Sequence, residues 1–265
     1  DFIISKKARL LIEKENIDPR EINKPFIKEI DVINYLDSKS NNYTENNLKI
    51  IKEKIESLDK SKLVVIMGAG GGAKMCIDAL KNNNDYEVIC LLDDNYNTKS
   101  NVFDIPIIGN FKFYQKLIEI GLINFVMAFG VITNREKRFS LYKKMKNNGA
   151  KFINVLHKTA IVESSVKMGE GNVILAGANV GSDVVMGDLN YINNSSIISH
   201  DCLIKDNVHI APGAVLASSI EIGSNTLIGM NSTVFYGIKI SKNVTVNNGV
   251  ILNKDVSENE IIKNN

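Results

Sequence analysis

Residues 195–216 read SSIISHDCLIKDNVHIAPGAVL, and every sixth position in that run, Ile198, Ile204, Ile210 and Leu216, is a large aliphatic side chain. The pattern extends both ways. Met168, Ile174, Val180, Met186 and Ile192 precede it, and Ile222, Ile228, Val234, Ile240, Val246 and Leu252 follow, with no polar residue and no gap. The position two before each is mostly small or β-branched, as at Ala178, Val184, Cys202, Val208 and Ala214, and glycine often comes directly after, as at Gly169, Gly181, Gly187, Gly223 and Gly229. A period of six fits neither a helix nor a lone strand, but it fits a triangular parallel β-helix with one short strand per face. Three hexapeptides close one coil, so the fifteen from Met168 to Leu252 build five coils. The sixth residue points inward, the small residue packs beside it, and glycine or asparagine turns the corner at positive φ.

Composition bounds the rest. A chain of 265 residues, 44% hydrophobic, buries a sizeable core and divides into about two domains at ~150 residues each. The net charge of +2, from 32 basic and 30 acidic residues interspersed, leaves no footprint for nucleic acid or an anionic membrane. Cys76, Cys90 and Cys202 all lie in apolar periodic segments, the usage of reduced, buried thiols in a cytoplasmic protein. There is no signal peptide and no apolar run near the ~18 residues of a membrane span. The chain opens at Asp1 without a methionine, which is the expectation for a trimmed N-terminus.

Residues 1–36 read as a small helical appendage: a helix over Lys6–Lys14, a break at Ile17-Asp18-Pro19, and a second helix over Glu29–Leu36. The residues Ala8, Arg9, Leu10, Glu15, Asn16, Ile17, Asp18, Asp31, Val32, Tyr35 and Leu36 resemble the peripheral subunit-binding domain of 2-oxo acid dehydrogenase complexes. That resemblance implies a protein partner docked through residues 1–36, although the family's glycine-rich loop, due near Asn23–Ile27, is absent. Residues 37–61 read as an Asn/Ser-rich linker over Asp37–Asn47 and a further amphipathic helix carrying Leu48, Ile51, Ile55 and Leu58. Residues 62–156 read as a Rossmann-like α/β domain. Strands at Leu63–Met67, Glu87–Leu92, Phe125–Phe129 and Phe152–Leu156 alternate with helices, and Gly68–Gly72 forms a glycine-rich turn. Such a turn brings backbone N–H groups to a phosphate at a helix N-terminus. Gly68, Gly70 and Ala73 satisfy a dinucleotide fingerprint, so an NAD-linked dehydrogenase is a competing reading. The block is too short for two mononucleotide halves, and one nucleotide fits better. The β-helix domain occupies residues 157–265.

The glycine turn, the Asp93-Asp94 strand end and Gly130, followed by Asn154, His157 and Ala160 and then by Ser199, His200, Asp201, His209, Pro212 and Gly213, together resemble the bacterial nucleotide-sugar acetyltransferases. The nearest pattern is that of the UDP-4-amino-sugar N-acetyltransferases of bacillosamine synthesis, with the sialic acid O-acetyltransferases close by. The resemblance implies a left-handed β-helix, acetyl-CoA as cosubstrate with no metal, and acetyl transfer to the 4-amino group of a UDP-4-amino-4,6-dideoxy sugar. It also implies a homotrimer. By the same matching, Gly70, Gly71, Gly72, Asp93, Asp94 and Gly130 hold the nucleotide sugar, and His209 lies at the acetyl group. Ser218 supplies a backbone N–H to the oxyanion, and Met230 and Asn248 line the coenzyme path. Two positions depart from the family pattern: Gly72, where histidine is common, and Ser218, where glycine is usual. The chain also lacks the family's closing Gly-x-Pro-Ala.

The chemistry asks for a base, since an amine attacking a thioester sheds a proton, and a histidine of ordinary pKa ~6.5 accepts one near neutrality. His200 is the candidate base. Asp201 follows it directly, although neighbours in extended chain point to opposite faces. Three readings compete: an O-acetyltransferase of sialic acid or a related sugar; a non-catalytic solenoid that senses a ligand and docks a partner; and a γ-type carbonic anhydrase. That last reading is disfavoured by the nine-residue spacing of His200 and His209 and by His157 lying outside the repeats. Leu203, Val215, Leu227 and Val185, apolar yet off the inward register, suggest a face covered by another subunit.

Overall fold

The computed structural model describes residues 3–81, 85–95, 101–130, 132–133 and 135–264, and for residues 36–44 the backbone alone. The chain forms two compact units, Asp1–Glu56 and Ser57–Asn265. In the first, α1 (Lys6–Lys14) is capped by the Ser5 hydroxyl, which accepts from the Ala8 N–H at 3.3 Å. A 3₁₀ turn, Pro19–Ile22, leads to α2 (Glu29–Ile55), and two parallel two-residue strands, Ile3–Ile4 and Phe26–Ile27, tie the unit together. Its core is Ala8, Ile12, Ile27 and Val32. The stretch read as a linker over Asp37–Asn47 lies inside α2, which runs unbroken from Glu29 to Ile55. Residues 29–55 contain no glycine or proline; asparagine and serine lower helix propensity by only about half a kcal/mol each, too little to break a helix with apolar turns at both ends.

The second unit opens with a sheet ordered 101–102, 105–109, 87–92, 63–67, 124–127, 151–152, parallel except for its first pair. Leu63–Met67 is buried along its whole length at the sheet centre. Helix α3 (Gly71–Lys81) turns Ala73, Cys76, Ile77 and Leu80 toward it, the three-and-four spacing of one helix face. The single strand expected over Phe152–Leu156 is two strands in different sheets: Lys151–Phe152 pairs with Asn124–Phe125, and Val155–Leu156 begins the β-helix against Val173–Ile174. The β-helix therefore starts at Val155.

Every later strand of the unit is two residues long and pairs, along most of the stack, with the strand eighteen residues on, as Ile192↔Ile210, Ile198↔Leu216 and Ile204↔Ile222 show. Three faces result: a seven-stranded first face beginning at Val155, a six-stranded second face beginning at Ile161 and a five-stranded third face beginning at Lys167. The inward sixth residues, Ile174, Ile192, Ile198, Ile210 and Ile228 among them, are fully buried in one column. Each such isoleucine contributes roughly 1.5–3 kcal/mol over its exposed state. Left-handed backbone recurs every six residues at Gly171, Gly177, Asp183, Leu189, Ser195, Asp201, Asn207 and Gly213, three places after the inward residue. The glycines directly after the inward residue have another cause. A Cβ at Gly223 would lie 2.4 Å from the Lys242 nitrogen, so the next coil passes too close for any side chain.

At the corner joining the third face to the first, asparagines stack coil on coil. The Asn207 Nδ2 donates to Asn225 Oδ1 at 2.8 Å, Asn225 to Asn243 at 3.2 Å and Asn243 to Asn259 at 3.1 Å. Arg138, on α4 (Arg135–Asn147), caps the lower end of this ladder at Asn207 and also donates to the carbonyls of Leu189 at 2.9 Å and Met127 at 3.1 Å. It is the largest fully buried side chain among the described residues, and burial pulls its pKa down to about 10. One guanidinium thereby joins the end of a sheet strand to the β-helix.

Candidate active site

His200 and Asp201 stand at the corner between the second and third faces. The Asp201 φ of +59° turns its carboxylate back on its neighbour, and His200 Nδ1 lies 2.6 Å from Asp201 Oδ2. Both side chains are open to solvent, 59% and 57% exposed. Ser218 occupies the same corner one coil on, where the Ser219 N–H donates to the His200 carbonyl at 3.1 Å.

His209 lies on the first face and is buried. Its ring meets Tyr191, one coil below, edge to face, with centroids 5.5 Å apart and planes at 86°. The Asn193 Nδ2 sits 3.2 Å from His209 Nε2; an amide N–H donating there leaves Nε2 as the unprotonated nitrogen. Along the adjoining corner between the first and second faces, Met230 is exposed and its N–H donates to Asn248 Oδ1 at 2.9 Å. An open cavity of about 510 Å³ extends this lane past Leu227, Val246, Asn247, Asn248, Lys263 and Asn264.

The three faces close a triangle, so the corner bearing His200 is the one opposite the face bearing His209. Within one chain the named residues fall into two groups on opposite sides of the prism: His200, Asp201 and Ser218 on one, His209, Met230 and Asn248 on the other. Ser218, expected from the sequence on the coenzyme path, sits instead with His200. His157 contacts Thr159 Oγ1 in its own turn at 2.9 Å. The three histidines do not converge, and no cluster of metal-ligating side chains occurs among the described residues.

The remaining residues gather at the carboxyl ends of the parallel strands, where the α/β fold puts ligands. Asp93 holds the glycine turn: Oδ2 accepts from the Ala69 N–H at 2.7 Å, while Oδ1 accepts from the Asn95 N–H at 2.8 Å. Asp94 Oδ1 accepts from the Phe111 N–H at 2.9 Å. Gly68 (φ +108°) and Gly130 (φ +69°) adopt backbone that side chains avoid, whereas a Cβ at Gly70 or Gly71 would meet open space. Gly72 differs. A Cβ there would lie 2.4 Å from the Ala128 carbonyl oxygen, so this approach of α3 to the Asn124–Met127 strand admits no histidine. A second cavity, about 320 Å³ beside Thr133, Arg135, Lys137, Asn225 and Asn243, contains none of the residues named from the sequence.

Tyr191, Asn193 and Arg138 were not singled out in the sequence. Tyr191 was detectable as the one aromatic residue in the outward register of the first face; Asn193 and Arg138 carry no signal in spacing.

Comparison with known proteins agrees with this architecture. Residues 63–144 match the PglD N-terminal domain, residues 201–236 the bacterial transferase hexapeptide (six repeats), and residues 219–254 the hexapeptide repeat of succinyl-transferase. A GDP-perosamine N-acetyltransferase of Escherichia coli O157:H7 is 25% identical over 107 residues, 40% of this chain and 48% of that protein, so the match spans about half of that relative. The crystal structure of PerB from Caulobacter crescentus in complex with CoA and GDP-perosamine superposes with a TM-score of 0.70 at 29% identity, covering 75% of this chain and 92% of that one. The acetyltransferase domain of PglB from Neisseria gonorrhoeae, in complex with acetyl coenzyme A, gives 0.69 at 26% identity over 76% and 95%.

Proposed function

Taking the chain as a bacterial nucleotide-sugar acetyltransferase, we propose that it moves acetyl from acetyl-CoA to the amine of a nucleotide-linked amino sugar, with His200 as general base. The observation that carries this reading is the 2.6 Å contact between His200 Nδ1 and Asp201. With Nδ1–H held by a carboxylate, Nε2 is free to take a proton. The amine nitrogen attacks the thioester carbonyl carbon as its proton passes to His200 Nε2. The Ser218 N–H steadies the oxyanion, and as the C–S bond breaks the proton taken by His200 passes to the leaving sulfur, which releases CoA as its thiol and returns His200 to its starting form. The coenzyme lies along the lane of His209, Met230 and Asn248, and the nucleotide at Gly70, Gly71, Gly72, Asp93, Asp94 and Gly130.

We read the acceptor as a UDP-4-amino-4,6-dideoxy sugar. A GDP-linked sugar is the second reading, favoured by the relatives that act on or bind GDP-perosamine. The opposite placement of base and coenzyme lane supports a homotrimer in which the His200 corner of one subunit meets the His209 side of the next. Residues 1–36, with Leu10, Phe26 and Ile30 exposed, are our candidate docking element for a protein partner. The test is acetyl transfer with a panel of UDP-, CMP- and GDP-amino sugars. His200→Ala is expected to lose on the order of 10²–10⁴ in kcat/KM while the fold persists; a loss below about threefold removes His200 from the mechanism.

A further inference from the structure

The outward side chains of the first face form one column: Val155, Val173, Tyr191, His209, Leu227, Thr245 and Ile261. The lower three pack into the α/β domain, in one apolar cluster with Ala73, Cys76, Ile77 and Leu80 of α3. Tyr191 is the last residue under that cover and His209 the next one out. The Tyr191 ring spans the two. Its hydroxyl sits beside the Cys76 thiol and 3.5 Å from where a Cβ on Gly72 would stand, and its ring meets the His209 imidazole at 86°. Burial raises the Tyr191 pKa, so the hydroxyl keeps its proton at any physiological pH.

We propose that Tyr191 is the positioning residue of the transfer reaction: wedged between the glycine-turn helix and His209, it fixes the plane of the imidazole that faces the thioester. The proposal rests on the acetyltransferase reading only for the role of His209; the wedge itself is geometry. The Asn193 side-chain amide contacts one ring nitrogen of His209, and the Tyr191 ring packs edge to face against the imidazole, so tilting the imidazole out of its plane would press it into the Tyr191 ring. Gly72 completes the arrangement, since a side chain there would contest the space that the Tyr191 hydroxyl takes.

The chain has three histidines, so a spectrum of ¹³C-labelled histidine resolves them, with His157→Gln and His200→Asn supplying the assignments by subtraction. Tyr191→Leu is expected to move the His209 resonance and to lower kcat roughly tenfold to a hundredfold, with KM for the nucleotide sugar within about twofold. Tyr191→Phe, which keeps the ring, is expected to restore kcat to within about threefold. A His209 resonance that in folded Tyr191→Leu stays a single sharp line and is displaced by no more than the loss of the Tyr191 ring current overturns the proposal whatever the activity. If Tyr191→Leu does not fold, the unaltered protein decides: a nuclear Overhauser contact between the Tyr191 and His209 rings upholds the wedge, and its absence overturns it. Wild-type protein with no acetyl-CoA turnover would sink the acetyltransferase reading, while the resonance would still judge Tyr191.

Discussion

Adjacent residues in extended chain face opposite ways, yet Asp201 reaches the ring of His200. The corner explains it. Left-handed backbone recurs at that register throughout the prism, and aspartate tolerates it at little cost. The bend therefore exists whatever residue occupies it, and the carboxylate exploits it. Because both groups are more than half exposed, the pair stabilises the fold by no more than about 0–1 kcal/mol, and on the proposed mechanism its value lies in orienting His200. Asp201→Gly keeps the bend and deletes the carboxylate. Its kcat/KM is expected to fall about tenfold with an unchanged melting temperature, as read by steady-state kinetics and calorimetry. Unaltered kinetics would mean that His200 works unaided.

Among the elements, α4 best separates what the sequence discloses from what it hides. The sixfold column is legible because inward positions tolerate nothing polar, and the glycine turn because of its composition. Arg138 is hidden: Arg135, Lys137 and Arg138 look alike in a charged helix, yet Arg135 and Arg138 both donate to the β-helix and Arg138 alone of the three is fully buried there. The split at Phe152–Leu156 has a single mark, Asn154, whose amide donates to the Gly169 carbonyl and accepts from the Asn172 N–H of the β-helix, and one asparagine in an apolar stretch does not by itself announce a change of sheet. Arg138→Met keeps much of the stem but strands the Leu189 and Met127 carbonyls and the Asn207 amide oxygen. Losing bonds to three buried acceptors is expected to cost about 3 kcal/mol, measurable by urea unfolding, and lysine should rescue it poorly because it lacks the fork.

For the molecule as a whole, sorting outward residues by eighteen rather than six changes the interface. Leu203 and Val185 lie on the third face, Val215 on the second and Leu227 on the first, so these four do not form one patch. The second face instead presents Ile161, Ile197, Val215 and Ile251 in one exposed column, with Asn179 and Thr233 between them, and Ile251 is 69% exposed. An apolar strip of this kind is best covered by a second copy under cyclic symmetry. Light scattering is expected to give three times the 29.4 kDa chain, and Ile197→Glu with Val215→Glu to leave inactive monomers. Mixing His200→Ala subunits with subunits altered at Asn248 should restore part of the activity, and a fully active monomer would refute the shared site. The strand spacing has one more consequence. Each coil advances about 4.8 Å, which makes the prism a graduated ruler with His209 at its zero mark, Met230 near the first graduation and Asn248 near the second. On the proposed reading, how far from the reacting carbon a long thioester is gripped is then set by the number of graduations. Shortening the chain by eighteen residues would preserve every register above and below while bringing the far grip nearer by one mark, so reach in this architecture changes in whole steps.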